Sequence, residues 1–143
     1  RYIRGRSGLR GPEGLPLVKP PYSRLTAIDL KTGDFAWQVP LGNGPRQRLI
    51  EMGVSDPGPL GGARFTGPLV TKTLLLLGVN DRRSGQDPVL NAFNKATGEI
   101  VQSIKIPDGL TGTPMTYMVS GKQYIVAAYG TGAEAGLVAL TLP

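Results

Sequence analysis

The sequence predicts an all-β fold, a partial β-propeller of about two to three four-stranded antiparallel blades. Composition is the first observation behind this prediction: glycine (21) and proline (13) make up 34 of the 143 residues, while apolar residues contribute 40%. That mixture is typical of many short strands joined by tight turns. The second observation is internal repetition at intervals of 46 and 47 residues, which match the ~40–50 residues of one blade.

The clearest repeat is a strand–turn–strand unit. Residues 25–34 return as residues 90–99 with an offset of 65, and a truncated copy closes the chain at residues 137–140, 47 residues after the second copy. Both full copies contain a Thr-Gly pair, where glycine supplies the positive φ that a short hairpin loop needs. Each copy is therefore predicted to be a β-hairpin.

A second repeated unit lies between the copies of the first. Residues 67–70 (GPLV) and 113–116 (TPMT) both lead into apolar runs, and their prolines are 46 residues apart. The larger offset of 65 indicates an inserted loop, which the Gly/Pro/Arg-rich stretch 41–65 would form.

These repeats divide the chain into five segments. Residues 1–23 are an extended lead-in, 24–40 a partial blade of two strands, 41–65 the inserted loop, 66–107 a complete blade, and 108–143 a last blade lacking its fourth strand. Nine strands cannot close a ring, and open strand edges are an association hazard. The remaining blades of the same propeller are therefore expected outside this segment.

Charge and residue usage exclude several function classes. The net charge is +6, and Arg1, Arg4, Arg6 and Arg10 concentrate it at the start. An Arg/Gly arm for nucleic acid is one interpretation, but a solvated segment continuing from upstream explains the pattern as well, and we expect no nucleic-acid partner. The absence of histidine and cysteine excludes a Ser-His-Asp or zinc mechanism within this chain. The longest apolar runs fall far short of the ~20 residues of a membrane span.

Several of these segments resemble one known family. Residues 27–37 (AIDLKTGDFAW) resemble the tryptophan-docking repeat of quinoprotein dehydrogenases, in which Trp37 would pack against the next blade and be buried there. The terminal blades of the membrane-type glucose dehydrogenase branch are similar to four further segments: residues 14–22 (GLPLVKPPY), 69–74 (LVTKTL), 113–117 (TPMTY) and 121–124 (GKQY). The second copy of the repeat departs from the first at two positions: Gln102 stands where the first copy has Trp37, and Asn94 stands where it has Asp29.

The resemblance implies an eight-bladed quinoprotein propeller that holds pyrroloquinoline quinone (PQQ) and usually calcium near its axis. Such an enzyme oxidises an aldose sugar or alcohol in the bacterial periplasm and passes electrons to a quinone or cytochrome acceptor. Any membrane anchor would lie in an upstream region. This segment alone is expected to be inactive, supplying ring closure and part of the cofactor pocket wall. The catalytic base and metal ligands of the family lie mainly in upstream blades, so no catalytic or metal-binding residue is assigned here.

Four residues are candidates for contact with the cofactor. Lys19 and Tyr22 belong to residues 19–22 (KPPY), which resemble the family's aromatic after paired prolines, and a quinone with three carboxylates favours cationic partners. The alternative is a rigid polyproline lead-in with Tyr22 packing on a neighbouring blade. Arg64 and Thr113 precede innermost strands, where loops ring the central channel, and each could face cofactor or substrate. Surface solvation or a turn hydrogen bond is the alternative for both.

A second function stays open from sequence alone. Propellers with the same repeat type also occur as non-catalytic scaffolds that bind partner proteins through their loops, and fold similarity does not separate the two. The segments 19–22 and 121–124 favour the dehydrogenase.

Overall fold

The computed structural model describes residues 11–81 and 84–141, and almost all of their regular structure is β-strand. The predicted all-β fold is confirmed. The elements in chain order are a 3₁₀ turn (Pro12–Gly14), β1 (Arg24–Ile28), β2 (Phe35–Pro40), α1 (Arg46–Glu51), β3 (Arg64–Phe65), β4 (Leu69–Val70), β5 (Leu74–Asn80), β6 (Val89–Asn94), β7 (Ile100–Lys105), β8 (Met115–Val119), β9 (Lys122–Tyr129), a further 3₁₀ turn (Gly132–Glu134) and β10 (Gly136–Thr141). The arginine-rich start, residues 1–10, lies outside the described residues.

The strands form three antiparallel sheets. The first sheet is the hairpin β1–β2, the second has the order β3-β5-β6-β7 with β4 also paired to β5, and the third has the order β10-β9-β8. In the second sheet β3 and β4 pair with opposite ends of β5, so together they act as one interrupted edge strand. Pro68, between them, has no N–H to donate to the ladder. This interruption gives the described residues ten strands where nine were predicted.

The central strands of the second sheet, β5 and β6, are buried on both faces. Successive side chains of a strand point to opposite sides, and each side of these two strands packs on a neighbouring sheet. Leu75, Leu77 and Val79 of β5 pack with Phe93 against the first sheet. Leu76, with Leu90 and Ala92 of β6, packs against the third sheet. Leu77 and Leu90 are each 1% exposed, and truncating such a leucine to alanine costs about 2–5 kcal/mol. Continuous apolar sequence is thus what a strand between two neighbouring sheets requires.

Trp37 joins the first sheet to the second. Its indole N–H donates a hydrogen bond of 2.9 Å to the carbonyl oxygen of Lys95. Its ring lies so close to Gly98 that a Cβ on that glycine would be 2.6 Å from Cε3. Trp37 is only half-buried, so the expectation of a buried side chain was wrong in degree: the ring covers an exposed hairpin turn rather than entering a core.

The two hairpin turns of the repeat are held by the same kind of side-chain contact. Asp29 accepts a hydrogen bond of 2.8 Å from the backbone N–H of Lys31, and Asn94 accepts one of 2.9 Å from that of Ala96. Asparagine and aspartate both form this turn, which is why the substitution at position 94 leaves the local structure intact.

The stretch between β2 and β3, residues 41–63, is the inserted loop, and it contains α1, a helix that the sequence analysis did not predict. Its two ends are held together by Ser23, whose hydroxyl donates to the carbonyl oxygen of Leu41 (3.0 Å) and accepts from the N–H of Gly62 (2.8 Å). Leu60 is 1% exposed, so part of the loop is anchored by burial. Within the ranges described, no helix is long and apolar enough to cross a membrane.

Candidate functional site

A cleft of about 620 Å³ opens between the second and third sheets, at the start of β3 and just ahead of β8. One wall comes from β3, residues 66–67 and the end of β5, and the other from residues 108–113 together with residues 130–131. Its volume falls within the range of ligand pockets, roughly 300–1,000 Å³. The cleft is therefore large enough for a cofactor or substrate of drug-like size.

Glycines allow the two walls of the cleft to approach closely at its base. A Cβ on Gly67 would lie 2.2 Å from the Thr113 hydroxyl oxygen, and a Cβ on Gly78 would lie 2.5 Å from a methyl carbon of Leu110. Real Cβ atoms do not come this close to other atoms, so a side chain at either position would clash and both positions require glycine. The loop that enters the third sheet is thus seated directly on the second sheet.

Arg64 and Asn80 are directly opposite each other in the pairing of β3 with β5. Cross-strand partners place their Cβ atoms about 4.5–5.5 Å apart on one face of the sheet, and both residues line the cleft. Arg64 is exposed, and within residues 11–81 and 84–141 its guanidinium has no hydrogen-bond or ion-pair partner. Within those ranges it is also the cleft's one cationic side chain.

Threonine hydroxyls supply most of the other polar groups. Thr66 is committed, since its hydroxyl donates to the carbonyl oxygen of Gly67 and accepts from the N–H of Gly78, both at 3.3 Å. The hydroxyls of Thr111, Thr113 and Thr131 line the cleft without forming a hydrogen bond inside the described ranges. They are available to a ligand.

Asp108 is the carboxylate of the cleft wall. Its Oδ1 accepts a hydrogen bond of 2.7 Å from the N–H of Gly109. A Cβ on Gly109 would lie 2.3 Å from the amide nitrogen of Asn80. The carboxylate and the amide therefore belong to one polar rim.

The structure brings two of the four predicted residues together and leaves the other two elsewhere. Arg64 and Thr113 line the same cleft, whereas Lys19 and Tyr22 are not among its lining residues. Lys19 is exposed. Tyr22 donates its backbone N–H to the carbonyl oxygen of Leu60 at 2.7 Å, and its ring lies beside Gly62 of the inserted loop.

Asn80, Asp108 and Thr131 are cleft residues that the sequence analysis did not single out. Asn80 is the β-ladder partner of Arg64. The register of a two-residue strand cannot be read from sequence, so this pairing could not be predicted. Across residues 11–81 and 84–141, no three His, Cys, Asp or Glu side chains come together as metal ligands.

Comparison with known proteins shows the family. Residues 1–125 match the family model described as "PQQ: Glucose/ethanol/alcohol dehydrogenase, beta-propeller domain". The chain is 41% identical over 123 residues to the quinate/shikimate dehydrogenase (quinone) of Acinetobacter baylyi, covering 82% of this chain and 14% of that protein. It is 33% identical over 138 residues to the quinoprotein glucose dehydrogenase of Escherichia coli, covering 92% of this chain and 17% of that protein.

A third relative is the glycerol dehydrogenase large subunit of Gluconobacter thailandicus, 32% identical over 119 residues, covering 82% of this chain and 15% of that protein. The chain thus spans only 14–17% of the length of these relatives. The match of residues 1–125 and the stacked antiparallel sheets agree. The chain belongs to the PQQ-dependent glucose/ethanol/alcohol dehydrogenase family, as a segment of its β-propeller domain.

Proposed function

We propose that the full-length protein is a PQQ-dependent dehydrogenase that oxidises a hydroxyl group of a sugar, an alcohol or a quinate-like polyol. The observation that carries this proposal is the position of the cleft, where the innermost strands of two adjacent sheets of a PQQ-family propeller begin. In propellers these strands surround the central channel. The cleft would be one sector of the ligand-binding wall.

The residues of the cleft fit part of such a ligand. When bound, PQQ accepts the two electrons that leave the substrate, and the protein contributes binding, orientation and electrostatics. The exposed guanidinium of Arg64 would bind a carboxylate through a charge-assisted hydrogen bond. The hydroxyl of Thr113, which lies against Gly67, would bind a hydroxyl or carbonyl group.

Contact of Lys19 and Tyr22 with the cofactor stays a separate proposal, because neither lines the cleft. Exposed Lys19 could reach a carboxylate only if the pocket extends toward the lead-in. Lys19→Ala in the full-length protein should then raise the dissociation constant for PQQ. An unchanged constant would assign Lys19 to the solvated surface.

The remaining blades of the same chain are the proposed partners of this segment. Gly98 is covered by Trp37, but no atom of the described part of the chain lies within 4 Å of a Cβ built on the repeat-equivalent Gly33. The outward faces of the first and third sheets also carry exposed apolar side chains, among them Phe35 (66%) and Leu137 (73%). A preceding blade that places an aromatic ring on Gly33, and a following blade on the third sheet, would make Trp37 one member of a docking repeat.

Three finer features belong to the same proposal. Calcium would be bound by ligands in upstream blades, electrons would pass to a quinone or cytochrome acceptor, and the enzyme would work in the periplasm. Membership of the family is what supports these three features. A quinone is favoured as the acceptor because the name of the Acinetobacter baylyi relative includes quinone.

The test is to express the full-length protein, add PQQ with calcium, and measure dye reduction with glucose, glycerol and quinate. Cofactor-dependent reduction with at least one substrate is expected. A complete propeller that binds no PQQ would refute the dehydrogenase and leave a scaffold that binds partner proteins through its loops.

A further inference from the structure

Asp108 is the one aspartate of the sequence that is followed by glycine, since the others precede leucine, phenylalanine, arginine or proline. The backbone N–H of Gly109 donates a hydrogen bond of 2.7 Å to Oδ1 of Asp108 itself. This contact folds the side chain back over the peptide bond that follows it, so the carboxyl carbon lies next to the amide nitrogen of Gly109. Glycine has no side chain to shield that nitrogen. The two groups are therefore positioned to react with each other.

We propose that Asp108 and Gly109 form a cyclic imide in the folded protein, and that this imide converts Asp108 into isoaspartate. In the first step the amide nitrogen of Gly109 loses its proton and bonds to Cγ of Asp108, and a carboxyl oxygen leaves as water. In the second step one water molecule opens the ring. Opening at Cγ restores aspartate, whereas opening at the main-chain carbonyl leaves the chain running through the side chain of residue 108. Water is the only co-reactant.

The fold holds this geometry through Gly109, which is buried. Its carbonyl oxygen accepts a hydrogen bond of 3.1 Å from the N–H of Gly130, and a Cβ at position 109 would clash with the amide group of Asn80. Asp108 is only half-buried and lines the cleft, so water reaches its carboxyl group. Because the reacting groups are already held together, the entropy cost of bringing them together is reduced. The pair should react faster in the folded protein than in the unfolded chain.

Isoaspartate at position 108 would displace the loop that enters the third sheet. It lengthens the main chain by one carbon–carbon bond, about 1.5 Å. The next residue, Leu110, lies so close to Gly78 that a Cβ there would be 2.5 Å from its methyl carbon, and it forms a β-bridge with Tyr129. The extra length therefore requires the loop to move off the second sheet, and the cleft would lose one wall. This reaction needs no cofactor or substrate, so the inference is independent of the proposed function.

The test is to incubate the purified full-length protein for several weeks at neutral pH and physiological temperature, and then to digest it with trypsin. Residues 106–122 are released as one peptide, because lysines at positions 105 and 122 bound them. Isoaspartate in that peptide is measured by electron-transfer fragmentation and by selective enzymatic methylation. The unfolded reference is the same protein in guanidinium chloride. Isoaspartate at position 108 should accumulate about twofold to tenfold faster in the folded protein.

The sequence supplies controls of both kinds. Asp56 and Asp87 each precede proline, whose nitrogen carries no hydrogen and cannot close the ring, so both should stay unmodified. Asn43 precedes glycine and should cyclise with loss of ammonia in guanidinium chloride, which shows that the conditions permit the reaction. Asp108→Glu keeps the charge, but its longer side chain cannot form the five-membered ring. Incubation should lower the thermal midpoint of wild-type protein and leave that of Asp108→Glu unchanged.

Each outcome decides one part of the inference. If isoaspartate forms at position 108 no faster in the folded protein than in guanidinium chloride, the fold does not promote the reaction and the proposal is wrong. If it forms faster but the incubated wild-type protein keeps its thermal midpoint, the modification stands and the displacement of the loop is wrong. An equal fall in the midpoint of wild type and Asp108→Glu would assign the loss of stability to another site.

Discussion

The indole N–H of Trp37 lies 2.9 Å from the carbonyl oxygen of Lys95, so the last strand of the first sheet is bonded to the hairpin turn of the second. The ring also closes over Gly98, a residue with φ +76° and no side chain of its own. Hydrogen bond and ring contact together fix how one sheet is placed against the next.

Removing this contact should destabilise the protein moderately. Trp37→Phe removes the donor and should cost about 1 kcal/mol. Trp37→Ala also removes the ring and should cost about 1–3 kcal/mol, less than the ~3–5 kcal/mol of a fully buried tryptophan, because half of the ring already contacts solvent. Thermal unfolding of the full-length protein measures both, with Trp37→Ala giving the lower midpoint.

Gln102→Ala is the matched control, since Gln102 stands at the repeat-equivalent position, is exposed, and its side chain forms no hydrogen bond within residues 11–81 and 84–141. Its midpoint should stay at the wild-type value. Equal losses from Trp37→Ala and Gln102→Ala would show that the contact with Lys95 and Gly98 does not stabilise the pair of sheets.

The approach of Gly67 to Thr113 gives a prediction at the cleft. Gly67→Ala would bring a Cβ within 2.2 Å of the Thr113 hydroxyl oxygen, so the two walls must separate, and such overpacking costs about 1–3 kcal/mol. Unfolding of Gly67→Ala, Thr113→Ala and the double variant should show coupling, with Thr113→Ala recovering part of the loss. Strictly additive effects would contradict the close approach.

Much of the fold could be predicted from the sequence because each blade repeats one local pattern. Positive φ angles in the hairpin turns are indicated by the Thr-Gly pairs at residues 32–33 and 97–98. Burial of a whole strand is indicated by the apolar run at residues 74–79. The helix α1 could not be predicted, since six residues with no side-chain cap carry a weak signal and depend on the packing around them. Pro68 is evident in the sequence, but that it divides one predicted strand into β3 and β4 depends on how both segments pair with β5.

The candidate site was less accessible to sequence reasoning. Arg64 and Thr113 could be expected to lie near each other because each was predicted on a loop that enters an innermost strand, and both line the cleft; their contact with the cofactor stays a prediction. That Lys19 and Tyr22 lie outside the cleft follows from the path of the inserted loop, where Tyr22 bonds to Leu60. No local pattern encodes that path.

The ion pair between Asp87 and Lys105, at 2.8 Å, gives a pH-dependent prediction. The hydrogen bond and charge of Lys105 lower the pKa of Asp87, and Asp87 in turn raises the pKa of Lys105. A lowered carboxyl pKa contributes stability that is lost as pH falls through it, and a raised ammonium pKa contributes stability that is lost as pH rises through it. The pair should therefore stabilise the hairpin β6–β7 across the whole neutral range.

Asp87→Asn should lower the thermal midpoint slightly at neutral pH, and the difference from wild type should vanish in strong acid. The effect should be small and reduced by salt, because both groups are exposed. Lys105→Gln should give a similar loss, and the double variant should lose no more than either single one. A loss that persisted in strong acid would show that Asp87 acts through something other than this pair.

Asp81 holds the inserted loop to the second sheet, and its removal gives the last prediction. Its side chain is 4% exposed and accepts a hydrogen bond of 2.5 Å from the backbone N–H of Asn43. Asp81→Ala would leave that donor without its acceptor, at a cost of about 1–3 kcal/mol. The loop should then open more often, so that the backbone of α1 after Arg46 and Arg48 unfolds locally and fits the active site of trypsin.

Limited proteolysis of the full-length protein measures the effect as the rate of cleavage after those two arginines. Asp81→Asn retains an acceptor oxygen and should be cut more slowly than Asp81→Ala. Asp56→Ala is the control within the loop, because Asp56 is exposed, accepts a hydrogen bond from the nearby N–H of Gly58 and pairs with Arg46 of the same loop at 3.8 Å, so it should stay near the wild-type rate. Cleavage of Asp81→Ala at that same rate would mean that burial of Leu60, and not the carboxylate, holds the loop in place.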